Sequence, residues 1–244
     1  MIRKMAVAGV AIMLMAPIAR QRGAISSRPD TLFKLATVEA GGKLRLAMSV
    51  AERTIDIAAA NASLSRDLGL PVVTIPGEMR ELIEQYDRVA PRLYQIANHV
   101  RSSAAGAAVL SNPSFRAPIL YPWNLVNLAA NYRAHAEGMS AGQPAGRPGG
   151  FNAAAAAEVD PDRDAPVVFA KSPRSCIIGT GEPYYIPPGR EKIDWEGELG
   201  IVIGKPAYRV DQKRAHDYVF GYTVLYDLSD RGGRTVTRSA RGVA

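Results

Sequence analysis

The chain has 244 residues, of which 47% are hydrophobic and 22% charged, a composition typical of a globular protein with one large domain or two smaller ones. Its net charge of +7 arises at the two ends of the chain, since residues 1–30 and 231–244 together carry nine lysines and arginines and one acid. The body of the chain, residues 31–230, therefore has a net charge of −1. The body therefore lacks the basic groove that binds phosphate backbones, and we expect no nucleic-acid partner. Cys176 is the only cysteine, which excludes an intramolecular disulfide and a cysteine-based zinc cluster.

Residues 1–24 are similar to a secretory signal. Arg3 and Lys4 precede an apolar stretch at 5–16 that is too short to span a bilayer. No clean small-x-small cleavage site follows that stretch. The sequence consequently leaves the location open between the cytoplasm and export to the periplasm, and a buried helix or a displaced start codon are alternative interpretations of this segment.

A β-hairpin is the first element predicted after the signal-like segment. Apolar residues alternate over 33–37 and again over 44–50, and Gly41 and Gly42 separate the two runs. Alternation on both sides of a glycine pair is typical of a hairpin with one buried face.

A helical region follows the hairpin. From residue 77 to 99 apolar residues recur at helical spacing, and we expect Pro91 to kink or split the helix. The small-residue stretch at 101–118 is a predicted domain boundary. Hairpin and helix together predict a small α+β domain over residues 30–110.

The chain after the connector has a predominantly β pattern. The segment at 141–165 is rich in Gly, Pro and Ala, and loops of that length are typical of lids and binding loops. A short helix is predicted near 211–217. Strand-like stretches lie at 166–171, 176–179, 198–204 and 218–229. We therefore predict a mixed, mostly β fold class.

Two carboxylates in the stretch DWEGELGIVIG predict a cation site. Glu196 and Glu198 share one face if the stretch is a strand, and burying both unpaired would cost several kcal/mol. With three histidines and one cysteine in the chain, an all-oxygen site favours Mg²⁺ or Mn²⁺, and Ca²⁺ less so. Asp227, late in the stretch at 218–229, is a candidate third ligand. The alternative is a solvated strand edge on which the glutamates pair with arginines.

A second polar motif is NYRAHAEG at residues 131–138. His135 stands near Glu137, and a histidine beside a carboxylate can activate a water molecule. The alternative interpretation is a helix start at which His135 only packs.

Four segments taken together resemble one enzyme family. They are VNLAANYRAHAEG, VVFAKSPRSCIIGTGEPYYIPPG, DWEGELGIVIGK and GYTVLYDLSDR, and their order and spacing are similar to those of the fumarylacetoacetate hydrolase superfamily. The resemblance covers about residues 119–231. It implies a catalytic domain of β-sandwich or roll type over 118–231, of which we expect this chain to hold the N-terminal portion. The Arg-rich residues 232–244 are then an atypical tail.

The resemblance also implies roles for individual residues. Three carboxylates correspond to the family's ligands for Mg²⁺ or Mn²⁺: Glu196, Glu198 and Asp227. Three further residues correspond to catalytic groups: His135, Glu137 and Lys171. In this assignment the histidine polarises the attacking water, the glutamate assists it, and the lysine lies near the substrate.

The activity implied by the resemblance is metal-dependent hydrolysis of a C–C bond. The substrate is then a small 2-oxo or 1,3-dicarbonyl acid of the acylpyruvate or fumarylpyruvate type, and the folded chain is expected to be a homodimer. Because the same metal site supports decarboxylation, hydration and isomerisation, these reactions are alternatives. A further hypothesis is a shortened, catalytically silent chain.

Overall fold

The computed structural model describes residues 25–102, 108–129 and 165–230. The first part of the chain holds β1 (Lys34–Ala40), β2 (Lys43–Val50), β3 (Arg53–Asp56), α1 (Ile57–Leu68), α2 (Met79–Glu84), α3 (Tyr86–Ser102) and β4 (Ser114–Phe115). The second part holds β5 (Leu125–Leu128), β6 (Val168–Lys171), β7 (Ile193–Asp194), β8 (Gly197–Ile203), a 3₁₀ helix (Gln212–Tyr218), β9 (Val219–Tyr226) and β10 (Ser229–Asp230).

The predicted hairpin is confirmed. β1 and β2 pair antiparallel, with Leu35 opposite Met48, and the turn between them is Gly41–Gly42. Both glycines have positive φ, +59° and +70°, which glycine adopts without the steric cost that a side chain imposes. β3 and β4 extend the hairpin to a four-stranded sheet in the order β3-β2-β1-β4.

Helix α1 begins at a side-chain cap. Oδ1 of Asp56 accepts from the backbone N–H of Ala59 at 3.0 Å, and Oδ2 accepts from Nη1 of Arg45 at 2.7 Å. The helix ends at Gly69, whose φ of +67° closes the last turn. One buried carboxylate thus both starts α1 and ties it to β2.

Pro91 does not split the helix that contains it, and a kink at Pro91 stays a prediction. Pro91 lies inside the continuous helix α3, and the break between α2 and α3 falls at Gln85. A proline inside a helix costs about 3 kcal/mol, but α3 buries Val89, Leu93 and Ile96 completely or nearly so. Each of these side chains contributes about 1.5–3 kcal/mol, so burial outweighs the lost hydrogen bond.

The main hydrophobic core lies in the first part of the chain. Its largest fully buried side chains come from β2, β3 and the helices: Met48, Ile55, Ile57, Leu64, Leu82, Leu93 and Ile96. The strands of the second part pair as three antiparallel units, β5 with β6, β7 with β10, and β8 with β9.

The strand predicted at 176–179 is not formed. The backbone N–H of Cys176 bonds to the carbonyl of Ser172 at 3.2 Å, which closes a turn, and the chain beyond it presses against residues 116–117. A Cβ at Gly179 would lie 2.7 Å from the backbone nitrogen of Ala117. The segment therefore packs against the backbone of residues 116–117 and does not pair with a strand.

Aromatic and ionic contacts dock the second part of the chain on the first. The ring of Phe220 on β9 meets the ring of Tyr86 edge-on, with centroids 4.9 Å apart. Burial raises the pKa of the Tyr86 phenol, which therefore stays neutral. The guanidinium of Arg116 bonds to both Glu39 and Glu182, so one side chain bridges β1 and the turn that follows Gly179. The contact between Phe220 and Tyr86 positions β9 against the helical layer.

The described residues are mixed and mostly β, as predicted, with ten strands and three α-helices. None of these helices combines the length and apolar character that a membrane crossing requires. The β-sandwich or roll architecture and the domain limits stay predictions. β4 falls after the predicted first domain and pairs with β1 of the first sheet.

Candidate active site

A buried carboxylate marks the site. Asp227 follows β9 directly, and its side chain is 7% exposed. Its backbone N–H donates to the carbonyl of Glu196 at 2.8 Å, which joins the end of β9 to the start of β8. Among the described residues only Asp56 and Asp227 are buried acids, and Asp56 is accounted for by its helix cap.

The antiparallel strands β5 and β6 supply both side chains that contact this carboxylate. Lys171 lies opposite Leu125 and Asn127 opposite Phe169, so all four side chains share one face of this strand pair. Nζ of Lys171 donates to Oδ1 of Asp227 and to the carbonyl of Leu228, the latter at 3.1 Å. Nδ2 of Asn127 donates to Oδ2 of Asp227 at 2.7 Å. Each oxygen of the buried carboxylate therefore has one donor.

Ser229 connects Asp227 to the first glutamate of the predicted pair. Oγ of Ser229 lies 3.0 Å from Oε2 of Glu196, to which it donates, and 3.2 Å from the backbone carbonyl of Asp227. Ser229 belongs to β10, where it pairs with Asp194 of β7. The short β7–β10 ladder thus holds Glu196 beside the segment that carries Asp227.

Glu198 lies one strand repeat further along. It is half-buried on the same face as Glu196, as the alternation predicted, and its side chain makes no hydrogen bond or ion pair with any described residue. Gly200 continues this face, where a Cβ would lie 2.8 Å from the side chains of Leu225 and Thr223. Because Gly200 has no Cβ, the side chains of Leu225 and Thr223 pack over this face of β8 next to Glu198.

The opposite face of β8 is apolar and exposed. The exposed fractions are 66% for Leu199, 56% for Ile201 and 55% for Ile203. Tyr222, Val224 and Tyr226 of β9 extend the same face, and they are 60–78% exposed. We call these six side chains the β8–β9 apolar face.

The residues of the site fit a hard cation by donor type but are not gathered into one cluster. Within the described segments no group of three or more His, Cys, Asp or Glu side chains could hold a metal ion, so the ligand triad of Glu196, Glu198 and Asp227 stays a prediction. Oδ1 of Asn127 is buried without a hydrogen-bond partner, which adds an uncommitted oxygen beside Asp227. Carboxylate and amide oxygens are the ligands that Mg²⁺ and Mn²⁺ prefer.

Two of the predicted catalytic residues, His135 and Glu137, lie outside the described residues, as do residues 141–164 of the predicted lid. Their roles stay predictions. The structure brings together Lys171, Asp227 and Glu196, and adds two residues that sequence reasoning did not single out, Asn127 and Ser229. Asn127 had a signal in the sequence, a polar side chain at the centre of the apolar stretch LVNLAA.

Comparison with known families identifies the second part of the chain. Residues 124–242 match the family model described as fumarylacetoacetate (FAA) hydrolase C-terminal. This part of the chain is thus similar to the C-terminal domain of the fumarylacetoacetate hydrolase family. The resemblance stated from the four motifs is thereby confirmed.

Two relatives from this family share about a third of the aligned residues. The oxaloacetate tautomerase YisK of Bacillus subtilis is 32% identical over 166 residues, which are 65% of this chain and 48% of the relative. The mitochondrial oxaloacetate tautomerase of Xenopus laevis is 30% identical over 165 residues, 68% of this chain and 44% of the relative. The chain thus spans about half the length of these relatives.

A solved structure shares the fold. The maleylpyruvate hydrolase from Sphingobium sp. SYK-6, in complex with manganese (II) ion and pyruvate, is 22% identical and superposes with a TM-score of 0.51. The match covers 83% of this chain and 60% of the hydrolase. At this identity the match establishes the fold of the family for this chain.

Proposed function

We propose that the protein is a divalent-cation-dependent hydrolase that cleaves a C–C bond in a small 2-oxo or 1,3-dicarbonyl acid. The observation that carries the proposal is the polar cluster at Asp227. The buried carboxylate of Asp227 contacts the lysine and the amide there, and Ser229 links the same segment to Glu196. Apolar residues of similar volume would often stabilise the fold at least as well as such a buried ion pair, so stability alone does not explain the polar residues. Clusters of this kind are typical of active sites.

Glu196, Glu198 and Asp227 are the proposed ligands of Mg²⁺ or Mn²⁺. Glu198 is half-buried and unbonded within the described segments, so it has a carboxylate to offer. The hydrolase that shares the fold was solved with manganese (II) ion and pyruvate, a 2-oxo acid. When bound, a divalent cation polarises the oxygens of such an acid and stabilises the negative charge that develops on cleavage.

Lys171 has two roles in this proposal. Its ammonium group neutralises Asp227 in the structure, and its side chain lies on the same face of the β5–β6 strand pair as that of Asn127. When a cation binds the three carboxylates, Asp227 no longer needs the ammonium group of Lys171. The ammonium group can then bind the carboxylate of the substrate and orient the substrate. His135, assisted by Glu137, is proposed to take a proton from the attacking water.

A second candidate is keto–enol tautomerisation of a 2-oxo acid. The Bacillus subtilis and Xenopus laevis relatives are named oxaloacetate tautomerases. Tautomerisation moves one proton between carbon and oxygen and needs no attacking water, so it does not require the water-activating role proposed for His135. Decarboxylation, hydration and a catalytically silent chain are the remaining candidates.

One experiment compares hydrolysis and tautomerisation on the same sample. The folded protein is incubated with an acylpyruvate and, separately, with the enol form of oxaloacetate, each with Mg²⁺, with Mn²⁺ and with a chelator. The proposal expects release of pyruvate from the acylpyruvate only when the metal is present. Accelerated loss of the enol without acylpyruvate cleavage would replace hydrolysis by tautomerisation, and no turnover of either compound in a folded sample would contradict both.

A further inference from the structure

The amide of Asn127 has one satisfied end and one unsatisfied end. Nδ2 donates to Oδ2 of Asp227 at 2.7 Å, whereas Oδ1 is buried and accepts no hydrogen bond from the described residues. Leaving a buried carbonyl oxygen without a donor costs about 1–3 kcal/mol. A side chain that bears this cost next to a buried carboxylate calls for an explanation.

The orientation of the amide follows from its neighbour. If the amide were turned over, its oxygen would lie against a carboxylate oxygen, and two acceptors would repel each other. Lys171 already supplies the other oxygen of Asp227 with a donor. The nitrogen of Asn127 must therefore face Asp227, and its oxygen must face away from that carboxylate.

Asn98 differs from Asn127 in its partners. Its Oδ1 is also buried without a partner, but its Nδ2 donates to the backbone carbonyls of Ser26 and Arg28, at 2.8 and 3.0 Å. Asn98 ties the start of the described chain to α3, and neither bond goes to an acid. The side-chain amide nitrogen of Asn127 donates instead to Asp227, which is a predicted metal ligand.

We propose that Asn127 belongs to the cation site: its amide nitrogen fixes the carboxylate of Asp227, and its amide oxygen accepts a hydrogen bond from a water molecule on the bound divalent cation. The inference rests on the proposed function, since it assigns a role at the same site. Asn127 is a positioning residue in this role, because it acts through Asp227 and through water. Groups that orient metal ligands in this way typically change metal affinity about 10–100-fold when they are removed.

The test is the affinity for Mn²⁺, measured by isothermal titration calorimetry on the full chain. Asn127→Leu removes both polar ends of the side chain at similar volume, and Asn98→Leu makes the same change at the matched control position. The proposal expects Asn127→Leu to weaken Mn²⁺ binding at least about tenfold, and Asn98→Leu to change it less than about twofold. Thermal unfolding without metal shows whether each variant is folded.

Three outcomes in the variants would overturn the proposal. Wild-type affinity in folded Asn127→Leu would do so, and so would an equal loss in both leucine variants, which would indicate a general effect on stability. If Asn127→Leu does not fold, Asn127→Ser decides, because its hydroxyl is too short to serve both partners: weakened Mn²⁺ binding supports the proposal and unchanged binding overturns it. A wild-type chain that binds no Mn²⁺ would remove the proposed function as well, whereas the preceding outcomes leave that function intact.

Discussion

The ammonium of Lys171 donates to the buried carboxylate of Asp227 across 56 residues of sequence. One residue ends β6 and the other follows β9, so the contact joins two strand pairs that share no ladder. A buried carboxylate needs a positive partner, and in this structure the lysine is that partner. The proposed cation would take over this role, which makes Lys171 and the metal alternative partners of one carboxylate.

Replacing Lys171 by methionine tests this exchange. Asp227 then lacks its cationic partner, and we expect the free energy of unfolding to fall by about 3 kcal/mol without metal. Mn²⁺ should raise the melting temperature of Lys171→Met by more than that of the wild type, because it restores a lost partner instead of displacing one. The exposed Lys192→Met is the control. Equal Mn²⁺-induced shifts in Lys171→Met and the wild type would argue against a shared position.

Replacing Glu198 by glutamine separates metal binding from folding. Since Glu198 has no partner among the described residues, we expect its loss to change stability by less than about 0.5 kcal/mol. The affinity for Mn²⁺ should nevertheless fall more than about tenfold, because a charged oxygen ligand is lost. Calorimetry with the exposed Glu191→Gln as control measures both effects. Unchanged affinity would remove Glu198 from the ligand set.

The β8–β9 apolar face is the proposed interface of the predicted homodimer. Six large side chains, each at least 55% exposed, form a face without a charged residue. Apolar patches of this kind mark interaction sites, and we propose a second copy of the chain as the partner. We expect Ile201→Lys and Val224→Lys to shift the chain towards the monomer in sedimentation equilibrium. A monomeric wild type, or an equal effect of Val72→Lys in the exposed loop after α1, would contradict this.

Two substitutions of Asp56 compare the contributions of its helix cap and of its ion pair with Arg45 to the stability of the protein. Asp56→Ala removes both the cap of α1 and the ion pair with Arg45, and should lower the free energy of unfolding by about 2 kcal/mol. Asp56→Asn retains a capping oxygen, and because Arg45 is 40% exposed, losing the ion pair should cost less than about 1 kcal/mol. Urea denaturation compares the two variants. Equal losses would show that the ion pair outweighs the cap.

Local patterns in the sequence predicted several elements correctly. Alternation around Gly41–Gly42 defined the first hairpin, and alternation along β8 placed Glu196 and Glu198 on one face, because strand periodicity depends only on neighbouring residues. The continuity of α3 through Pro91 could not be predicted in the same way. It depends on burial of the α3 face, which outweighs the cost of a proline inside a helix.

The contacts of the site depended on tertiary structure. Lys171 and Asp227 were assigned through their motifs, but their pairing with Asn127 arises from the register of β5 on β6, which no single segment specifies. Asn127 itself is one polar residue in an apolar stretch. Its role depends on a residue 100 positions later in the chain, so local reasoning could not assign it.

Glu196, Glu198 and Asp227 are the proposed ligands of one divalent cation. The most direct measurement is anomalous diffraction at the manganese absorption edge from crystals of the protein grown with Mn²⁺. We predict one anomalous peak between the three carboxylates, with Nζ of Lys171 moved away from Asp227. A map without a peak at these residues, in which Lys171 still contacts Asp227, would contradict the claim.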